Sequence, residues 1–129
     1  MLGDAFASLM TVTTLFNVIW ATLLGIVIGA LPGLTATMGV ALMTTLTYRM
    51  DPDAAIQILI CIYVGAIYGG SRSAILLNIP GTPASACSTL DGFPLARKGE
   101  AGRAMGISTS GSWLGTLVGT AMVALLTPT

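Results

Sequence analysis

Uncharged, mainly apolar residues fill this chain in long blocks, and the charges fall in two short islands. No Asp, Glu, Lys or Arg occurs from Ala5 to Tyr48. Arg49, Asp51 and Asp53 form the first island, and Ala54 to Ser71 is again uncharged. Arg72 stands alone before a second uncharged stretch, Ser73 to Leu90. Asp91, Arg97, Lys98, Glu100 and Arg103 make the second island, and Ala104 to Thr129 carries no charge. A membrane-crossing helix needs about 20 mainly apolar residues at roughly 1.5 Å each. The first block is therefore long enough for two passes and the last suits one. The two middle blocks are short for full spans and rich in Gly, Ser, Thr and Pro.

Within the blocks, local signals mark starts and stops. Asn17 to Leu31 reads as a helix with Gly25, Gly29 and Gly33 four residues apart, a spacing that lets a neighbouring helix approach closely in lipid. Pro32-Gly33 interrupts it, and Thr35 can cap a second helix, TATMGVALMTTLTY. Asp53 can cap AAIQILICIYVGAIYGG, which is expected to stop at Gly69-Gly70. A short run, AILLNI, then meets Pro80-Gly81-Thr82-Pro83, where Gly81 is expected to supply a positive φ. Thr82 followed by Pro83 is a good helix start. ASACSTL is expected to end at the turn signal Asp91-Gly92. Pro94 to Lys98 can form one polar turn ended by Gly99. Gly102, Gly106, Gly111, Gly115 and Gly119 line a last apolar helix reaching Leu126. The expected fold is an all-α integral membrane protein whose transmembrane helices include Pro-Gly-broken, discontinuous or re-entrant segments. Residues 1–129 read as one unit with no internal domain boundary and no full repeat.

Composition sharpens this. Only 8% of residues are charged and 54% are hydrophobic, against about 25% charged in average globular chains. So few charges could not cover a water-soluble surface. Net charge is zero, which gives no reason to expect a nucleic-acid partner. There is no His, the commonest general base and metal ligand. Cys61 and Cys87 lack any CxxC spacing and read as packing residues. MLGDAFASLM has no basic residue before its apolar region and carries Asp4, which argues against a cleaved leader. The chain stops at LLTPT, directly after an apolar segment, and is expected to be part of a longer product.

Two places share one design: an apolar segment broken by Pro-Gly that restarts on a Thr. They are Leu31-Pro32-Gly33-Leu34-Thr35, with Thr37 just beyond, and Ile79-Pro80-Gly81-Thr82-Pro83, with Ser85 just beyond. A broken helix leaves unpaired carbonyls on one side and unpaired N–H groups on the other. In lipid that is tolerable only inside protein or along a watery cavity. The N–H end carries about half a positive charge and suits a carboxylate, whereas the carbonyl end suits a cation. Transporters use such breaks near the bilayer midplane. The competing reading is a pair of proline kinks or surface loops. Arg72, beside Gly70, Ser71 and Ser73, fits either a carboxylate ligand or a headgroup-level turn. Asn78 fits either a substrate contact or a cap on the broken backbone. Asp51-Pro52-Asp53 reads as a loop with a helix cap more readily than as a metal site.

YVGAIYGGSRSAILLNIPGTPASACSTLDGFPLARKGEAGRAMG resembles the signature of the large permease subunit of tripartite tricarboxylate transporters, the TctA family. GIVIGALPGLTATMGVALMTTLTYRMDP is similar to that family's earlier motif, so the resemblance covers most of residues 22–106. It implies a longer subunit, of which this is the N-terminal portion and one of two related halves. It further implies a multi-pass protein of the bacterial inner (cytoplasmic) membrane, working with a small membrane subunit and a periplasmic substrate-binding protein. The implied activity is carboxylate import driven by a Na⁺ or H⁺ gradient, with no ATP hydrolysis and no bound cofactor. The absence of any GxxxxGK[ST] loop from this chain agrees with that. The candidate path is Pro32, Gly33, Thr35 and Thr37 with Gly70, Ser71, Arg72, Ser73, Asn78, Pro80, Gly81, Thr82 and Ser85.

Two rivals stand beside this reading. A membrane-embedded enzyme using Ser71 or Ser73 as nucleophile would lack a His base in this chain. A structural subunit packing only through Gly-xxx-Gly faces would need neither the Thr-capped breaks nor Arg72. Orientation follows from charge: Arg97, Lys98 and Arg103 lie in one short segment beside an apolar block, which the positive-inside rule assigns to the cytoplasm. In Lys98→Cys, a membrane-impermeant thiol reagent should label everted vesicles and leave intact cells unlabelled. Labelling of intact cells would reverse the topology.

Overall fold

A computed structural model describes residues 11–127, and the leader argument about MLGDAFASLM falls outside them. The described residues form helices and connecting turns. Helix α1 is Val12–Ala30, α2 is Ala36–Thr47 and α3 is Pro52–Leu77. A 3₁₀ turn, Pro83–Ser85, leads into α4, Ala86–Leu95; a π-type turn, Ala96–Glu100, joins α4 to α5, Ala101–Leu126.

The core of the bundle is the pairing of α1 with α3. Gly25 and Gly29 lie against the backbone of Ile62 and Ala66, while Gly65 and Gly69 lie against Thr22, Ile26 and Ala30. Contact positions rise together on both helices, so α1 and α3 run parallel. A methyl group at Gly29 would overlap the Ala66 carbonyl, and one at Gly69 would overlap the Ile26 carbonyl. Four glycines thus set the interaxial distance, as small residues do where lipid supplies no hydrophobic drive between helices. Ala21, Ile58 and Ile62 form the buried cluster beside them, with Trp20, Leu24, Ile28, Met43 and Cys61 packed around it.

Parallel neighbours require a return segment, and α2 supplies it. Gly39 packs on Ile28 and Ile62, and Met43 reaches the cluster around Ala21, so α2 runs back along the pair. Its 12 residues cover about 18 Å, well short of a hydrocarbon core of about 30 Å. The first apolar block therefore holds one long helix and one half-length helix among the described residues, and together they carry the chain along the bundle and back, as the length of the block suggested. Three stretches are long and apolar enough to cross: Val12–Ala30, Pro52–Leu77 and Pro83–Leu126, the last bent between α4 and α5.

Several local expectations change. Gly69-Gly70 does not end a helix; α3 continues eight residues beyond Gly69 because both glycines carry close-packed neighbours there. The N-cap of α3 is Asp51, with Pro52 at the first helical position, and Asp53 lies in the first turn. Asp91-Gly92 is helical, and Gly92 meets the Ile75 side chain. The bend lies instead at Gly99, whose φ of 85° suits only a residue without Cβ.

The outer surfaces agree with a lipid solvent. Leu15, Phe16, Ile19, Leu23 and Val27 form an exposed stripe along α1, and Ile56, Ile60, Tyr63 and Val64 another on α3. Such contiguous apolar area does not persist in water. On α5, Gly111, Gly115 and Gly119 have no neighbour within 4 Å.

Gly29→Leu and Gly69→Leu must force α1 and α3 apart, at a cost of about 3 kcal/mol, the upper end of what overpacking usually costs. Both should sharply lower the amount of folded protein in the membrane, read by immunoblot and detergent melting. Normal abundance in both would contradict the packing described here.

Candidate functional site

The second Pro-Gly break packs against the last turn of α1, just ahead of the first. At the first, α1 ends at Leu31 in extended conformation and the chain turns through Gly33, whose φ is 93°. Thr35 then caps α2: its hydroxyl accepts from the Met38 N–H at 3.3 Å and lies 2.8 Å from the Thr37 hydroxyl. At the second, α3 ends at Asn78 and the chain folds back, so that Gly81 lies buried against the Gly29 carbonyl, the Gly70 Cα and the Ser73 hydroxyl. Gly29 belongs to the last turn of α1, so the end of the first broken segment touches the start of the second.

Gly81 is required here for room. The left-handed residue is Asn78, with φ 58° and ψ 25°. That position caps α3, the Asn78 N–H bonding the Ala74 carbonyl at 3.2 Å, and Asn is one of the few side chains that tolerate it. The positive φ expected of Gly81 is thus displaced by three residues.

The restart is held by Thr82 and Ser85, both buried. The Ser85 hydroxyl accepts from the Thr82 N–H at 3.2 Å and donates to the Thr82 carbonyl at 2.8 Å, within a capping box that has Pro83 at its first position. Ser73, also buried, donates to the Gly70 carbonyl at 3.0 Å and keeps its lone pairs beside Gly81. A cluster of small polar groups therefore surrounds the second break: Gly70, Ser73, Gly81, Thr82 and Ser85.

Directions matter as much as positions. Helix α2 runs opposite to α3, whereas α4 starts beside Gly70 and meets Ile75 at Gly92, in the same sense as α3. The N–H ends of α2 and α4 therefore point toward one another along the bundle axis. Gly70 lies about 27 Å from the start of α3 and about 11 Å from its end at 1.5 Å per residue. The level of the breaks is thus off centre, about 8 Å toward the end that carries Arg97, Lys98 and Arg103. The far end opens as a cleft lined by Thr13, Asn17, Arg49, Asp51, Asp53 and Gln57.

Other sequence candidates point elsewhere. The Ser71 hydroxyl donates to the Tyr68 carbonyl of its own helix at 2.7 Å. Arg72 faces α5, donating to the Met105 carbonyl at 3.0 Å and to the Thr109 hydroxyl. Its guanidinium lies over the Tyr68 ring, 4.1 Å from the centroid. Asn78 and Pro80 are exposed at the rim. Sequence reasoning missed Gly65, which completes the glycine contact, and Thr109, which receives Arg72. The Gly65–Gly69 spacing matches Gly25–Gly29 and was the available signal for the first. No group of three or more His, Cys, Asp or Glu able to hold a metal occurs among the described residues.

Apolar helices long enough to cross a bilayer, with interruptions between α1 and α2 and between α3 and α4, define a multi-pass membrane protein with discontinuous helices. Residues 15–129 match the Tripartite tricarboxylate transporter TctA family, and the chain belongs to that family. It is 39% identical over 121 residues to an uncharacterized 52.8 kDa protein in the TAR-I ttuC' 3'region of Agrobacterium vitis, a match covering 92% of this chain and 24% of the relative. The chain thus spans about a quarter of that relative's length. No solved structure matches it.

The left-handed cap at Asn78 gives a sharp test. Asn78→Gly should leave the melting temperature of the membrane complex within about a degree or two, whereas Asn78→Val should cost roughly 1–2 kcal/mol through backbone strain. Equal melting of the two variants would remove the strained cap.

Proposed function

We propose that this chain is the N-terminal portion of the permease subunit of a secondary carboxylate importer in the bacterial cytoplasmic membrane. In this reading transport is driven by a Na⁺ or H⁺ gradient. A periplasmic substrate-binding protein delivers the carboxylate, and a small membrane subunit completes the complex. Membership of the TctA family supports the transporter class.

The observation that carries the reading is the pair of opposed helix N-termini at neighbouring levels. Free N–H groups at a helix start, with their partial positive charge, form an anion site that needs no basic side chain. The α2 end offers Thr35 and Thr37 hydroxyls, and the α4 end offers Thr82 and Ser85. The Gly29 carbonyl in the last turn of α1 lies against Gly81, and carbonyls at such a helix end suit the coupling cation. Small residues at Pro32, Gly33, Gly70, Ser73, Pro80 and Gly81 let the substrate approach backbone. Arg72 and Asn78 act on this path through the helices they hold, and Ser71 lies on the flank.

The test is uptake of labelled mono-, di- and tricarboxylates by the complete complex, with the periplasmic protein present and the ion gradient varied. A hydrogen bond to a charged group is worth about 1.5–3 kcal/mol, or roughly ten- to a hundredfold in affinity. Thr37→Val should therefore raise the half-saturating concentration about tenfold or more at normal abundance. Thr44→Val should not, because that hydroxyl is committed to the Val40 carbonyl on the same helix. Unchanged kinetics in Thr37→Val would take the start of α2 out of the path, and uptake independent of any ion gradient would refute secondary transport.

A further inference from the structure

Arg72 is the one charged residue inside α3 beyond its first turn. A charge at membrane depth costs about 2.5–3.5 kcal/mol on insertion scales, so its partners define its task. Those partners all hold helices together. Nη1 donates to the Met105 carbonyl and Nη2 to the Thr109 hydroxyl, while Nε is buried without a hydrogen-bond partner among the described residues. The Thr109 hydroxyl itself donates to that same Met105 carbonyl at 2.8 Å. The three groups therefore close a ring of hydrogen bonds between α3 and α5. Tyr68, one turn back on α3, covers the guanidinium face, which suits a cation–π contact.

The same turn of α3 also seats the second break. Gly69 contacts α1, Gly70 contacts Thr82, and Ser73 contacts Gly81. At about 100° per residue, Arg72 projects from a different side of the helix than Gly70 and Ser73. It holds α5 while its neighbours hold the loop, and α4 connects the two through the Gly99 bend.

We infer that Arg72 is a positioning residue that latches the α4–α5 hairpin onto α3 through Met105 and Thr109, and so fixes the Gly81–Ser85 break; it does not contact the substrate. This rests on the proposed transport reading only for its kinetic arm. The latch itself is a property of the folded chain.

The experiment is a double-mutant cycle on Arg72→Met and Thr109→Val in the complete membrane complex, with Arg72→Lys as the conservative variant. Two readouts are taken: melting temperature in detergent and half-saturating carboxylate concentration at matched abundance. The latch predicts strong non-additivity, with the double variant no worse than Arg72→Met alone in either readout. Arg72→Met should raise the half-saturating concentration about tenfold, and Arg72→Lys, still able to reach one acceptor, should recover part of that. Additive effects in melting overturn the latch whatever the substrate proves to be. A silent Thr109→Val, with Arg72→Lys as impaired as Arg72→Met, also overturns it and makes the guanidinium a direct substrate ligand. Non-additive melting with no carboxylate uptake in any form, the native complex included, leaves the latch standing and refutes the transport reading. If Arg72→Met fails to accumulate, the isosteric Thr109→Val alone decides through its own melting shift, which must be a clear decrease.

Discussion

Backbone-to-backbone packing of α1 on α3 is the constraint on which the rest of the molecule depends. Two parallel helices cannot be adjacent in sequence without a return segment, and the bilayer limits what that segment can be. The chain solves this with a half-length helix, α2, whose tip is the first Pro-Gly break. Because Gly25, Gly29, Gly65 and Gly69 bring the two backbones together, the end of α1 reaches the level of Gly69–Ser73. The second break folds back to the same level, and Gly81 fits only because Gly29 and Gly70 leave room for it.

One turn of α3 is therefore the junction of the bundle. Gly69 receives α1, Gly70 and Ser73 receive the returning loop, and Arg72 receives α5. Small residues at this turn do two things at once. They admit neighbouring backbones, and they bury Gly81, Thr82 and Ser85 of the second break inside protein. A bulky side chain at any of these positions would separate helices and expose the second break. In the proposed transport reading, the arrangement would offer an anion mainly backbone N–H groups and hydroxyls, in a chain that has few charges to offer.

Much of this was legible in the sequence, and the misses share a cause. The breaks at Pro32-Gly33 and Pro80-Gly81, the Thr35 and Thr82 caps and the final helix follow from local chemistry that works alike in water and lipid. Gly69-Gly70 and Asp91-Gly92 were misleading because their turn-forming habit belongs to water, where a helical glycine exposes backbone and costs about 1 kcal/mol. In the bilayer the same glycines are stabilised by what packs on them. Gly81 and Asn78 exchanged roles, since the sequence does not reveal which of two permissive residues bends and which merely yields space. The direction of Arg72 was illegible because its acceptors, Met105 and Thr109, lie more than 30 residues away. Its cover was closer to hand, because Tyr68 and Arg72 are four residues apart on one helix face.

The central claim is that the start of α2 lines the carboxylate path while the rest of that helix does not. Substrate protection measures this directly. In the complete permease with Cys61 and Cys87 replaced by Ala, single cysteines at Thr37 and Thr44 are labelled with a small thiol reagent, with and without transported carboxylate. The account predicts that substrate slows labelling of Thr37→Cys severalfold and leaves Thr44→Cys unchanged. Equal rates at Thr37 with and without substrate, in protein shown to transport, would contradict it.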